Sequence, residues 1–291
     1  MIQCYRQSHE QNPWLFLYKV TVSMHELKDF KPEAIIFDKD GTLIDFDAMW
    51  GSWTLQLADR LQASIGLDIR QALCECYGYD ITHRKILPDG ILTCTPMWQL
   101  RELMIEVVTS FGISATEASC AAAAAWHVPD PVTNAKPFTD IRKLFTNIHR
   151  RGIKIAIATT DDRHPTCAML DAFGVSDIVA TMVCADDGIK AKPAPDMVTT
   201  ICQRMHVDPG NVTVIGDTVA DLQMARSAEA GYVIGVLSGV GSLANLTPLA
   251  DILIDTIDTL QERFMLKEHT QNQRPETDEG LSGLNPDLAY S

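Results

Sequence analysis

Four apolar runs in this chain each lead into a polar cluster. Ala34-Ile35-Ile36-Phe37 stops at Asp38-Lys39-Asp40-Gly41-Thr42, and the run ending at Ala158 stops at Thr159-Thr160-Asp161-Asp162. The run ending at Cys184 leads to Asp186-Asp187 with Lys190 and Lys192, and Val212–Ile215 leads to Gly216-Asp217-Thr218 with Asp221 beyond it. If the runs are neighbours, several carboxylates, hydroxyls and a lysine share one cleft. Carboxylates that close cannot all ionise without a counter-charge. A hard divalent cation solves this, and Mg²⁺ characteristically takes one or two carboxylates plus waters and phosphate oxygens. A carboxylate beside Mg²⁺ can attack phosphorus. A second one two residues on, Asp40, could reach a leaving-group oxygen as general acid. Gly41 permits close backbone approach, and its N–H can bind a phosphate oxygen. The Thr159 hydroxyl, with Thr160 as the neighbouring alternative, and the Lys192 charge complete a phosphate cradle.

These residues need elements that converge. Continuous apolar runs suit a parallel sheet covered on both faces. Strands are predicted at 34–37, 153–158, 178–184, 212–215, 232–236 and 252–254. Helices are predicted between them at 140–150, 165–173, 195–205 and 220–228, the first with apolar residues at 141, 144, 145 and 148. Alternating strands and helices predict an α/β, doubly wound, Rossmann-like parallel sheet, with ligands beyond the carboxyl ends of its strands. Residues 47–131 interrupt this pattern with helical stretches at 49–65, 69–77, 97–111 and 116–126. That is too long for a crossover connection and reads as an inserted all-helical domain. The expected organisation is therefore an N-terminal extension at 1–32, a core at 33–46 and 132–264, the insertion at 47–131 and a disordered polar tail at 265–291.

Taken together, DKDGT at 38–42, Thr159 after a buried strand, Lys192 within AKPAPDM and GDTVADLQMA from Gly216 resemble, in order, the four motifs of the haloacid dehalogenase superfamily. The position of the insertion resembles the helical cap of the phosphoglycolate phosphatase-like branch, as do ATTDDRHPT and ADDGIKAKPAPDM. The resemblance spans about residues 33–264. It implies that Asp38 is a nucleophile forming an aspartyl-phosphate and that Asp40 protonates the leaving alcohol, then activates water. It implies Mg²⁺ on Asp38, the Asp40 backbone carbonyl and Asp217. Asp221 would hold metal waters or Lys192, Lys192 would stabilise charge on the phosphoryl group, and Thr159 and the Gly41 amide would bind phosphoryl oxygens. Asp186 is a further candidate partner of Lys192, against a solvated turn. Asp161 and Asp162 are candidate helix caps.

The insertion says less about substrate. Phe46, Met49, Trp50 and Trp53 fall at helical spacing, which is the pattern of packing; Trp50 is nonetheless a candidate to face substrate. His83, Arg84 and Lys85 form a small basic group, with Arg84 a candidate for a second substrate anion.

With 38 acidic against 24 basic residues and a net charge of −14 in 291 residues, general affinity for nucleic acid or anionic membrane is not expected. The apolar stretch Trp14–Val20 is too short to span a bilayer. Eight scattered cysteines without CxxC spacing read as reduced thiols of a cytoplasmic protein. The expected activity is Mg²⁺-dependent hydrolysis of a small phosphomonoester. The alternatives are a phosphatase or lyase acting on a prenyl or terpenoid (di)phosphate, a phosphomutase, a 2-haloacid dehalogenase, which Asp40 argues against, and a non-enzymatic binding module.

Overall fold

The computed structural model describes residues 31–265 except 88, 89, 94 and 96. The expected extension and tail therefore fall almost wholly outside the described residues. The chain opens with strand β1 (Ala34–Phe37), then a π-helical turn (Asp47–Gly51) that runs into α1 (Ser52–Ile65). Helix α2 (Arg70–Tyr77), strands β2 (Tyr79–Asp80) and β3 (Lys85–Ile86), α3 (Met97–Ser110) and α4 (Ala115–Ala125) follow. Next come α5 (Ile141–His149), β4 (Lys154–Ala158), α6 (Arg163–Ala172), β5 (Val179–Val183), α7 (Asp196–Met205) and β6 (Val212–Gly216). The chain continues with α8 (Val219–Ser227), β7 (Tyr232–Val236), α9 (Leu243–Leu246), β8 (Ile252–Ile254) and α10 (Asp258–Met265).

Six strands form one sheet in the order β5-β4-β1-β6-β7-β8, and every neighbouring pair is parallel. The period of two along a strand explains the unbroken apolar runs. In β1, Ile35 and Phe37 join Leu144, Phe145 and Ile148 on one face. Ala34 and Ile36 join Met197, Ile201, Leu222 and Ala225 on the other. With helices on both faces, neither set of side chains is left for water. β1 lies between β4 and β6, with Phe37 in register with Ile157 and Ile215. The three polar clusters that follow these strands therefore emerge side by side at one edge.

The insertion has its own apolar centre, built on Trp53 with Leu57, Leu61, Leu73, Met104 and Ala122. Trp53 stacks on Tyr77 with ring centroids 6.0 Å apart, meets Trp50 and Trp126 edge-on, and donates its Nε1–H to the His127 carbonyl at 2.8 Å. The small residues of α4 (Ala118, Ala121, Ala122, Ala125) are buried, and a Ser114–Glu117 capping box starts that helix. One expectation needs correcting. The insertion is not all-helical, because β2 and β3 pair antiparallel, Tyr79 with Ile86 and Asp80 with Lys85. Two-residue strands are too short for any period to show in sequence.

The chain leaves and re-enters the core through two linkers that lie together. Asp45 N–H donates to the Lys136 carbonyl at 2.9 Å, and Phe138 N–H to the Leu43 carbonyl at 3.1 Å. Among the described residues no helix is long and apolar enough to cross a membrane.

Candidate active site

Beyond Phe37 the Asp38 N–H still donates to the Ile215 carbonyl, 2.8 Å away, so Asp38 is anchored to the neighbouring strand. The chain then turns at Gly41, whose φ is +84°, a conformation that favours glycine. A β-carbon there would stand 2.4 Å from Asp217 Oδ2, so the turn brings backbone against the Asp217 carboxylate. The same turn corrects one expectation: the Gly41 N–H donates to the Ile44 carbonyl at 2.8 Å. It closes the loop and is not directed at a ligand.

Two buried ammonium groups organise the carboxylates. Lys192 reaches from the loop after β5 to pair with Asp38 Oδ1 and with Asp221 Oδ1 at 2.6 Å. Asp221 is held by its other oxygen, which accepts from Thr218 N at 3.1 Å and Thr218 Oγ1 at 2.5 Å in a capping box at the start of α8. Lys39, 2% exposed, bridges Asp40 Oδ2 at 2.8 Å and Asp161 Oδ2 at 3.0 Å. Among the described residues Asp217 has only neutral hydrogen-bond donors: Val240 N–H to Oδ2 at 3.0 Å and the Thr42 hydroxyl to Oδ1 at 3.4 Å.

The electrostatics follow from this arrangement. Burial pushes the Asp38 carboxyl up to about 7; Lys192 pulls it down and Asp221 adds to the rise. Burial, with Asp38 and Asp221 alongside, holds Asp217 well above the usual carboxylate range. Burial also raises Asp40, against the pull of Lys39 and with the push of Asp161. For Lys192, burial alone would lower the pKa, but Asp221 and Asp38 outweigh it and raise it.

Oxygens of Asp38, Asp217 and Asp221, all three buried, lie within 4.8 Å of one another. An all-oxygen set, short of positive charge and with one carboxylate served only by neutral donors, suits a hard divalent cation. Asp40 contributes no carboxylate oxygen to this group, because its side chain turns to Lys39. That leaves only its backbone carbonyl for the metal role the resemblance implied.

A family model of the haloacid dehalogenase-like hydrolases matches residues 32–229. The chain belongs to this family. Among its relatives is the phosphoglycolate phosphatase of Rhodospirillum rubrum, 23% identical over 236 residues, which cover 76% of this chain and 89% of that protein. Another is the N-acetylmuramic acid 6-phosphate phosphatase of Pseudomonas aeruginosa, 21% identical over 212 residues, covering 69% and 80% respectively. The crystal structure of CbbY from Rhodobacter sphaeroides, in complex with phosphate, shares the fold with a TM-score of 0.52 at 20% identity, covering 79% of this chain and 96% of that one.

In this haloacid dehalogenase-like hydrolase the remaining candidates divide. Thr159 is buried at the end of β4, and its Oγ1 accepts from Asp161 N at 3.1 Å, leaving the hydroxyl proton to donate. Thr160 is exposed. Asp186 does not reach Lys192: its Oδ1 accepts from Arg163 N at 2.9 Å at the start of α6. Asp187 takes the Arg163 guanidinium through Nε at 2.9 Å and Nη2 at 2.6 Å. Asp162 occupies the N-cap position of α6 without a side-chain cap bond, while Asp161 turns to Lys39. Trp50 packs against both the core and the insertion. Its indole lies beside Asp40 closely enough to pull that carboxyl down, although its buried Nε1 has no aligned acceptor. Arg84 sits exposed in the turn between β2 and β3, at φ +54°. His83 is paired with Asp80 at 2.8 Å, and Lys190 is a surface residue.

Sequence reasoning missed Lys39, Asp161 as its partner, and the loop at Ser238–Gly241. A lysine between two aspartates at the end of a fully apolar strand was the available signal for Lys39. The Gly-rich segment SGVGS after β7 was the signal for the loop that supplies Val240 N–H.

Proposed function

We propose that this hydrolase cleaves a small phosphomonoester, in the manner of the phosphoglycolate phosphatases, through an aspartyl-phosphate on Asp38. The observation that carries the reading is the single ammonium of Lys192 shared by Asp38 and Asp221 beside Asp217. This is a carboxylate nucleophile held by one cation within an oxygen cluster suited to a second. Asp38, Asp217 and the Asp40 carbonyl would hold Mg²⁺. When bound, Mg²⁺ supplies positive charge that lets an anionic carboxylate and an anionic phosphate approach.

The residues of the chain perform the rest. An Asp38 oxygen attacks phosphorus, and the bond from phosphorus to the leaving oxygen breaks as Asp40 gives that oxygen its proton. Burial shifts Asp40 toward its protonated form, against the pull of Lys39. Asp40 then takes a proton from water, the resulting hydroxide attacks phosphorus, and Asp38 is released with inorganic phosphate. Lys192 and the Thr159 hydroxyl face the charge that develops on the phosphoryl group. The insertion closes over this edge of the sheet, where Trp50 already touches both parts, and excludes water.

The test is rapid acid quench with a ³²P-labelled monoester from a panel that includes phosphoglycolate. Label that resists acid, is released by hydroxylamine and is absent in Asp38→Asn supports the reading. Turnover without any such label, or halide release from 2-haloacids without metal, overturns it.

A further inference from the structure

Asp40 is asked to do two opposite things, to give a proton and later to take one, and its surroundings treat its two oxygens differently. Oδ2 faces the Lys39 ammonium at 2.8 Å. Oδ1 is buried and has no aligned hydrogen-bond partner among the described residues, although the Trp50 indole lies beside this carboxyl. An ammonium offers donors only, so the oxygen facing it must stay an acceptor, and a proton carried by Asp40 resides on Oδ1. Lys39 is itself fixed from behind by Asp161 Oδ2 at 3.0 Å. Asp161 in turn is tied to the phosphate-facing loop, its N–H donating to Thr159 Oγ1.

We propose that Lys39 is a positioning residue, clamped by Asp161, that fixes which oxygen of Asp40 exchanges the proton and aims that oxygen at the leaving group and then at water. The inference rests on the aspartyl-phosphate reading. It goes beyond it by giving a task to a residue that touches neither substrate nor the acidic cluster at Asp217. Without the ammonium, Asp40 can rotate about its terminal bond and present either oxygen, and small errors of aim at a reacting centre are costly. A hydrophobic residue of similar length would fill the same buried space but could not orient the carboxylate.

The test is stopped-flow hydrolysis of p-nitrophenyl phosphate by the Mg²⁺-loaded enzyme, comparing wild type, Lys39→Met and Asp161→Asn. p-Nitrophenolate leaves without needing a proton, so formation of the phosphoenzyme depends little on Asp40, whereas its hydrolysis requires Asp40 as base. Lys39→Met should keep the burst of p-nitrophenolate within about threefold of the wild-type rate. It should lower the steady-state rate by about 10²-fold, the scale of losing a general base, with KM falling in parallel so that kcat/KM stays close to wild type. Lys39→Arg should recover part of the loss. With an alkyl phosphate such as glycerol phosphate, the first turnover should slow as well.

Asp161→Asn removes the clamp while leaving the Lys39–Asp40 pair. It should show the same split in milder form, and it keeps the test decisive should Lys39→Met fail to fold. Equal slowing of burst and steady state in the variants, or rates equal to wild type, overturns the role of Lys39. Turnover by wild type without an acid-stable, hydroxylamine-labile phosphoenzyme that is lost in Asp38→Asn instead overturns the covalent reading beneath it.

Discussion

Gly239 stands so close to Asp217 that a β-carbon on it would lie 1.9 Å from Oδ2. No side chain, however small, fits there without moving the carboxylate. Gly41 also packs against this oxygen, where a β-carbon would lie 2.4 Å from it, and Val240 N–H, next to Gly239, donates to it. Asp217 is thus seated against two backbone segments. Gly239→Ala should displace it and raise the Mg²⁺ concentration for half-maximal rate by about tenfold, the order seen when a support of a metal ligand is lost. Gly66→Ala, strained at φ +72° but with open space around it, is the control. A magnesium titration of both proteins checks this, and equal responses would show that the seat does not matter.

Asp38→Asn keeps the shape of the proposed nucleophile and removes its reactivity. Turnover should fall at least about 10³-fold. The same change removes a buried carboxylate whose ionisation burial opposes, so metal-free Asp38→Asn should melt no lower than wild type at pH 8. Activity within tenfold of wild type would falsify the assignment of Asp38.

The acidic cluster predicts a pH dependence of stability in chelator. The folded-state pKa of Asp38, about 7, lies above its ordinary value of 3.8, and Asp40 and Asp217 shift in the same direction. A group shifted upward favours the fold while protonated, so its contribution is full below about pH 4 and is lost as pH rises through about 7. Lys39 and Lys192 are also raised, but lysines titrate above this window and do not offset the loss within it. In EDTA the melting temperature should drop from pH 5 to pH 8, and added Mg²⁺ should restore more at pH 8 than at pH 5. Calorimetry across that range decides it; a flat profile in EDTA speaks against the cluster being short of positive charge.

Trp50 and Arg84 should separate cleanly. Trp50 packs against core and insertion together, so Trp50→Ala should destabilise by about 2 kcal/mol, less than a fully buried tryptophan, and should alter kcat through its neighbour Asp40. Arg84→Ala at an exposed turn should leave stability within about 0.5 kcal/mol. It should change KM only for substrates with a second anion. Denaturant melts and kinetics on phosphoglycolate and an uncharged-tail monoester are the measurements, and an unchanged substrate ranking in both variants would remove these residues from specificity.

Much of this architecture could be read from the chain because burial on both faces writes a strand as an unbroken apolar run. Ala34–Phe37, Tyr232–Val236 and Ile252–Ile254 fall where their composition places them. The candidate site edge was readable for the same reason: a charged residue directly after such a run has nowhere to go but the end of the sheet. What escaped was direction. Asp186 was a candidate partner for Lys192 by proximity in sequence, yet the loop turns it toward the free N–H groups at the start of α6, where Arg163 claims it and Asp187 together. Lys39 was given no role from sequence, and only the arrangement in space shows its ammonium bridging Asp40 to Asp161. The Gly41 amide was read as a ligand donor, but a turn that tight uses its own N–H to close.

The two linkers that join the insertion to the core run side by side, hydrogen-bonded at Asp45–Lys136 and Leu43–Phe138. Some ninety intervening residues thus begin and end at a single doorway, beside which Met49 and Trp50 pack against the core. Because both linkers leave the sheet at one edge, a change in the length or composition of this segment need not pass through the six strands.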